Sequence, residues 1–174
     1  MIPVNNTIYL DRLQPTDAEA ITGYMLDKEI SDNTSAIPYP YTIDDAHWFI
    51  NDSIIYEEEN GLQKNYAIRN SEGLLLGLIG LHLNYPPAAA RSEFGYWLGK
   101  PHRNKGIMKA VLRTLISIAP TVYGIKVLEA FVFQHNKASA QVLLAAGFTS
   151  TGVVQTRTLR NGTKVQAAKF ERQL

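Results

Sequence analysis

Apolar residues recur along this chain with two periods, and the switches between them mark out its elements. Phe94 to Leu98 reads as a strand, and Gly99 to Gly106 as a short basic loop. Ile107, Val111, Leu112, Leu115, Ile116 and Ala119 then fall at the 3.6-residue spacing of a helix. Upstream, Ile8 to Leu13 alternates and stops at Gln14-Pro15, which predicts a first strand. Thr16 with Glu19 forms a capping-box pattern, and Ala18, Ile21, Met25 and Leu26 give the following helix an apolar face out to about Lys28. Ser31 to Tyr41, with its two prolines, reads as irregular. A second helix starts near Thr42, carries Asp44 and Asp45 in its first turn, and runs through Ala46, Phe49, Ile50 and Ile54 to a stop at Asn60-Gly61.

The second half of the chain is richer in strands. Tyr66 to Arg69 and Leu74 to Leu83 flank a turn-rich tetrapeptide and read as a hairpin, whose second strand is apolar on both faces and so belongs at the sheet centre. Asn84 to Arg91 is a loop. Pro120 to Gly124 breaks the long helix, and Val127 to Phe133 is a buried strand. Lys137 to Ala146 is a short helix with Gly147 placed for a left-handed cap. Thr149 to Arg160 and Lys164 to Arg172 enclose Asn161-Gly162, a hairpin turn. The class this implies is α+β, a three-layer α/β/α sandwich on a mixed, mostly antiparallel sheet, as one domain over residues 1–174.

Composition narrows the function. A chain of 174 residues with 45% hydrophobic and 19% charged residues suits one globular domain. The net charge of +1 provides no bulk attraction to nucleic acid or anionic membrane. The absence of cysteine excludes disulfides, thiolate metal sites and a cysteine nucleophile. No His/Asp/Glu cluster has metal-ligand spacing, and His47, His82, His102 and His135 receive no role. The N-terminus does not read as a signal peptide, and no apolar run approaches the ~18 residues that span a bilayer. The expectation is a soluble cytoplasmic protein with neither a nucleic-acid nor a membrane partner.

The loop from Gly99 to Gly106 carries the most chemistry. A helix start offers N–H groups without intrahelical partners and the positive end of the helix dipole, so this one suits a phosphate or pyrophosphate. Gly106 admits close backbone approach, and Arg103, Lys105 and Lys109 add positive charge. The bland alternative is an ordinary connection with solvated basic residues. Neither the Walker pattern nor G-x-G-x-x-G is present.

Arg103-Asn104-Lys105-Gly106-Ile107-Met108 resembles the acyl-CoA loop of the GNAT N-acetyltransferases, R/Q-x-x-G-x-G/A, with Met108 where that family has a small residue. E-F-G-Y-W-L (Glu93 to Leu98) is similar to a strand of the branch that acetylates ribosomal-protein N-termini. Asn136, Ser139 and Gly147-Phe148 resemble that branch's N-x-x-S, helix and Gly-Phe. The resemblance implies acetyl-CoA as co-substrate, without a metal, and a sheet that splays where it binds. Backbone groups of Trp97, Leu98 and Gly99 would grip the pantetheine arm, residues 103 to 108 the pyrophosphate, and Asn136 the arm again. Asn136 also reads as a helix N-cap, and both roles can hold.

Many family members carry a tyrosine seven residues after this asparagine as general acid; here Leu143 stands there. Ser139 is the nearest hydroxyl on that helix, and is read either as the catalytic donor or as an ordinary first-turn residue. Glu93 is read either as a base acting through water or as a carboxylate paired with Arg91 or Lys100. The first two helices and the loop between them would wall an acceptor cleft. Tyr39, Tyr41, Trp48 and Tyr56 either line it or belong to the core. The acceptor implied is a peptide or small-molecule amine, foremost a protein N-terminal α-amine. A polyamine or small-amine acetyltransferase, to which the acidic run Glu57-Glu58-Glu59 is relevant, and a non-catalytic acyl-CoA-binding domain are the alternatives. A homodimer is compatible with the family.

Overall fold

The computed structural model describes residues 1–83 and 90–174, so most of the loop expected from Asn84 to Arg91 lies outside the described residues. In chain order the elements are β1 (Ile2–Pro3), β2 (Ile8–Asp11), α1 (Ala18–Met25), α2 (Lys28–Asp32), α3 (Ile43–Asn60), β3 (Asn65–Asn70) and β4 (Leu75–His82). They continue with β5 (Arg91–Leu98), α4 (Ile107–Tyr123), β6 (Val127–Phe133), α5 (Lys137–Ala145), β7 (Thr149–Thr158) and β8 (Lys164–Gln173). The strands form one sheet in the order β1-β2-β3-β4-β5-β6-β8-β7, with β5–β6 as its parallel pair.

Alternation along the strands builds two cores on opposite faces of that sheet. In β3, Tyr66 and Ile68 point to one face and Ala67 to the other. The first face packs against Val111, Leu112 and Leu115 of α4 and Leu143 of α5. The second packs against Ile21 and Met25 of α1, Ile30 of α2, and Ala46 and Ile50 of α3. Three layers result, with the continuously apolar β4 in the middle of the sheet, buried from both sides.

Helix ends explain where local signals were sufficient. Thr42 caps α3 reciprocally: its hydroxyl accepts from Asp45 N at 3.2 Å, and Asp45 Oδ2 accepts from Thr42 N at 2.8 Å. The Thr42 hydroxyl, which also donates to Asp45 Oδ2 at 2.7 Å, and then the Thr42 N–H hold the Asp45 carboxyl below its ordinary range. Gly61, at φ 65°, closes the same helix.

Several boundaries differ from the sequence reading, and β5 begins at Arg91, ahead of the expected Phe94. The short β1 pairs with β2 ahead of the expected first strand, which itself ends at Asp11 rather than Leu13. The capping box expected of Thr16 and Glu19 is replaced by Asp17, whose Oδ2 accepts from Gln14 N at 2.8 Å. Asp17 is buried and meets Arg69 of β3 in a two-pronged pair at 2.7 and 2.9 Å, a tertiary contact that local spacing does not contain. α1 stops at Met25, and Asp27, accepting from Glu29 N at 3.2 Å, starts a separate α2 that takes in Ser31 and Asp32. The long helix α4 also runs through Pro120 to Tyr123. Pro120 is exposed in its last turns, where the missing N–H removes one solvent-side hydrogen bond, and the stop comes instead from left-handed Gly124. Among the described residues no helix is long and apolar enough to cross a membrane, and no three His, Asp or Glu gather as a metal site.

Candidate active site

β5 and β6 pair only where Arg91 to Glu93 lie beside Val127 to Glu129. Beyond Glu93, β5 stays with β4 as far as Leu98 while β6 follows β8 to Phe133, so the two parallel strands part. A cleft of about 1170 Å³ opens there, reaching from the α2–α3 side of the sheet to the start of α4 and the flank of α5.

The register decides which backbone groups face this opening. Gly99 N donates to Leu76 O at 2.9 Å, and an antiparallel ladder bonds every second residue to the same neighbour. Gly95, Trp97 and Gly99 therefore turn their amides and carbonyls to β4. Tyr96 and Leu98 turn theirs to the opening, where Leu98 O accepts from Arg103 Nε at 3.0 Å. Gly99 serves packing as well: a Cβ there would fall 2.4 Å from the Tyr24 ring. The Tyr24 hydroxyl donates to Leu75 O at 2.8 Å and lies 2.9 Å from His102 Nε2. Burial, and then Lys105 nearby, push the His102 imidazole below its ordinary pKa.

The loop into α4 is shaped by two left-handed residues, Asn104 at φ 60° and Gly106 at φ 74°. The first intrahelical bond runs from Ala110 N to Gly106 O at 3.1 Å, so the N–H groups just before it have no helical acceptor. Arg103 does not add free charge there. Its guanidinium pairs with Glu29 Oε2 and Asp27 Oδ2, each at 2.8 Å, and so ties the loop to α2. Among the described residues Lys100, Lys105 and Lys109 are in no ion pair, and they supply the uncompensated positive charge around the loop. Met108 lodges its side chain in the core beneath α4, which absorbs the bulk of this residue. Arg103, Asn104, Gly106, Ile107 and Met108 all line the cleft, whereas Lys105 and Gly99 lie outside its lining.

On the opposite flank Asn136 caps α5, its Oδ1 accepting from Ser139 N at 3.0 Å, and both residues line the cleft. Ser139 Oγ is 2.7 Å from the Tyr96 hydroxyl, so Tyr96 reaches from β5 to α5. Burial pushes the Tyr96 phenol up to about 12, although its bond to Ser139 pulls the other way. Leu143 is wholly buried in the core. Sequence reasoning missed Tyr96. Its alternation with Phe94 shows the face it points to, but the Ser139 hydroxyl 43 residues away becomes its partner only in the fold.

Glu93 sits where the strands part. Neither Arg91 nor Lys100 is its partner: Arg91 bonds Glu129 at 2.5 Å, and Glu93 Oε2 accepts from Arg157 Nη2 of β7 at 2.9 Å. Arg157 lies over the Phe131 ring, 3.9 Å from its centroid, and His82 Nδ1 is 3.8 Å from the other carboxylate oxygen. Tyr41 and Trp48 line the cleft. Trp48 is 65% exposed, and Tyr39 stands out at the surface.

Comparison with known proteins agrees with this geometry. The chain is 28% identical over 170 residues to the uncharacterized N-acetyltransferase YoaA of Bacillus subtilis (strain 168), covering 94% of this chain and 92% of the relative. Its structure is similar to RimL, a ribosomal L7/L12 α-N-protein acetyltransferase solved with coenzyme A (TM-score 0.84, 20% identity, 99% of this chain and 97% of that one). It is similar also to the spermidine N-acetyltransferase of Vibrio cholerae, solved with CoA and spermine (TM-score 0.79, 19% identity, 97% and 96%). Residues 7–149, which run from β2 through the parted pair and the loop of α4 to the start of β7, match the acetyltransferase (GNAT) domain, and the chain belongs to that family.

Proposed function

We propose that this chain moves an acetyl group from acetyl-CoA to an amine, and that the amine is the N-terminal α-amine of a polypeptide. The observation that carries the reading is the parting of β5 and β6 beside the helix start at Gly106, which sets a free strand edge and a row of unpaired N–H groups in one cleft. Acetyl-CoA contributes an activated acyl carbonyl as its thioester. Tyr96 and Leu98 offer the edge that an extended pantetheine arm fits, and the loop from Arg103 to Met108 offers N–H groups for a pyrophosphate.

The chain's own groups can serve the transfer. Ser139, backed by Tyr96, is a hydrogen-bond donor for a departing thiolate. Glu93, held by Arg157, can take the amine's proton through water. Holding the two reactants in line supplies ~7 kcal/mol or more of the barrier, so no covalent intermediate is required. The hydroxyl pair favours a catalyst over a mere acyl-CoA-binding domain.

A peptide is favoured over a polyamine by the state of the carboxylates. Glu29 and Glu93 face Arg103 and Arg157, and Asp45 caps α3, so among the described residues the cleft presents no uncommitted acidic row to a polycation. Glu57 of the acidic run faces Arg12 instead, and the run is absent from the cleft lining.

Thermal unfolding with acetyl-CoA, CoA and NAD tests the first half. At ~100 times the dissociation constant the gain is about 2.7 kcal/mol, a rise of roughly 5–10 °C for a domain of this size, expected with the first two and not with NAD. Thiol release with a panel of free and N-acetylated peptides, and with spermidine, tests the second. Release with free peptides alone is expected; release with spermidine alone assigns the polyamine reading.

A further inference from the structure

The acceptor side of the cleft has a floor without side chains. Gly80 of β4 and Gly95 of β5 face each other in register, between the pairs His82–Glu93 and Leu78–Trp97 on the same face. A Cβ at Gly95 would meet nothing within 4 Å. At Gly80 it would fall 2.1 Å from Asn65 Oδ1, because Asn65 of β3 lies opposite Gly80 and folds its carboxamide over it. Lys64 O accepts from Leu81 N at 2.7 Å, which makes the adjacent pair Asn65–Gly80 a close, non-hydrogen-bonded one.

The orientation of that carboxamide follows from hydrogen-bond donors. Ser53 of α3 is buried, and its single hydroxyl proton goes to Phe49 O at 2.8 Å. Its oxygen can then only accept, which it does from Asn65 Nδ2 at 2.9 Å. Asn65 Oδ1 is thereby aimed over the glycine floor, and among the described residues it has no partner. Asn65, Gly80, Gly95 and Glu93 all line the cleft.

We propose that Asn65 Oδ1 is the hydrogen-bond acceptor for the incoming primary amine, holding one of its N–H groups over the Gly80–Gly95 floor, with Ser53 as the positioning residue behind it. The proposal rests on the acetyl-transfer reading above. A neutral carbonyl oxygen suits the task. It can bind a neutral amine, whereas a carboxylate at the same place would favour the ammonium, which has no lone pair to attack with. A neutral primary amine has two N–H groups, one for Asn65 and one to be lost as the proton that leaves when the new C–N bond replaces the C–S bond. An N-methylated amine has only one, so on losing its proton it leaves Asn65 Oδ1 without a donor. The site therefore selects primary over secondary amines.

The test takes a peptide that the wild-type enzyme turns over and the same peptide N-methylated at its terminus, both at saturating acetyl-CoA. Wild type should prefer the primary amine by at least about tenfold in kcat/KM. Asn65→Ala should lower kcat/KM for the primary amine by about tenfold and erase the preference, with the acetyl-CoA KM unchanged. Gly80→Ala, whose Cβ displaces Oδ1, should do the same. Asn65→Asp should bind the amine but shift the kcat profile to higher pH, since its charge holds the proton on the amine. An Asn65→Ala enzyme that keeps the primary-amine preference overturns the proposal, as does a parallel rise in the acetyl-CoA KM, which would make Asn65 structural. Wild type inactive with every peptide but still stabilised by acetyl-CoA overturns the peptide reading and this proposal together.

Discussion

The two halves of the cleft are built by different means. The half at α4 is nearly continuous in sequence, from Tyr96 to Lys109, and works through backbone: a strand edge, two left-handed turns and a helix start. The half beneath α3 is assembled from side chains far apart in the chain, with Ser53, Asn65, Glu93 and Arg157 drawn from α3, β3, β5 and β7. Backbone geometry tolerates most side chains, so the first half can be shared across a family while the second varies with the acceptor. Arg103 links them, with its Nε on Leu98 O and its Nη atoms on α2.

The strongest way to break this comparison is at Gly106. Its φ of 74° is one that a β-branched residue resists, and no side chain stands near enough to compensate. Gly106→Val should weaken acetyl-CoA binding ~100-fold, equivalent to the roughly 3 kcal/mol at the top of the range for such strain, as read by isothermal titration. Retained affinity would show that side chains, not backbone, hold the cofactor. The hydroxyl pair sharpens the comparison. Ser139→Ala should lower kcat ~100-fold and Tyr96→Phe about tenfold, with acetyl-CoA affinity kept in both. The double variant should be no slower than Ser139→Ala, because Tyr96 acts through the serine; additive losses would mean that Tyr96 reaches the substrate itself.

The smallest effect concerns His102, whose Nε2 lies 2.9 Å from the Tyr24 hydroxyl. Its pKa is lowered on folding, so the unfolded chain binds the proton more readily. Its contribution is complete above the unfolded value of about 6.5 and is lost as pH falls through the window below it. Melting temperature should rise with pH across that window, less steeply in His102→Gln, and equal slopes would remove His102 from the account.

What the sequence could show follows the same division. Periodicity, the Asn161-Gly162 turn, the helix start near Thr42 and its stop at Asn60-Gly61, and the loop up to Gly106 depend on residues within a turn or two of each other, and these were legible. The local signals failed where a distant partner outweighed a nearby one: Asp17 is taken by Arg69, and Glu93 by Arg157 rather than Arg91. By itself the chain determined its fold class, its strand–loop–helix cradle and the family that cradle belongs to, because short-range backbone preferences and hydrophobic spacing are written consecutively. Only the tertiary structure decided that Tyr96 meets Ser139, that Arg103 is neutralised by α2, and that Ser53 turns the Asn65 carbonyl over a glycine floor. Each of those depends on sheet register and helix packing, which set side-chain distances between residues the chain keeps far apart.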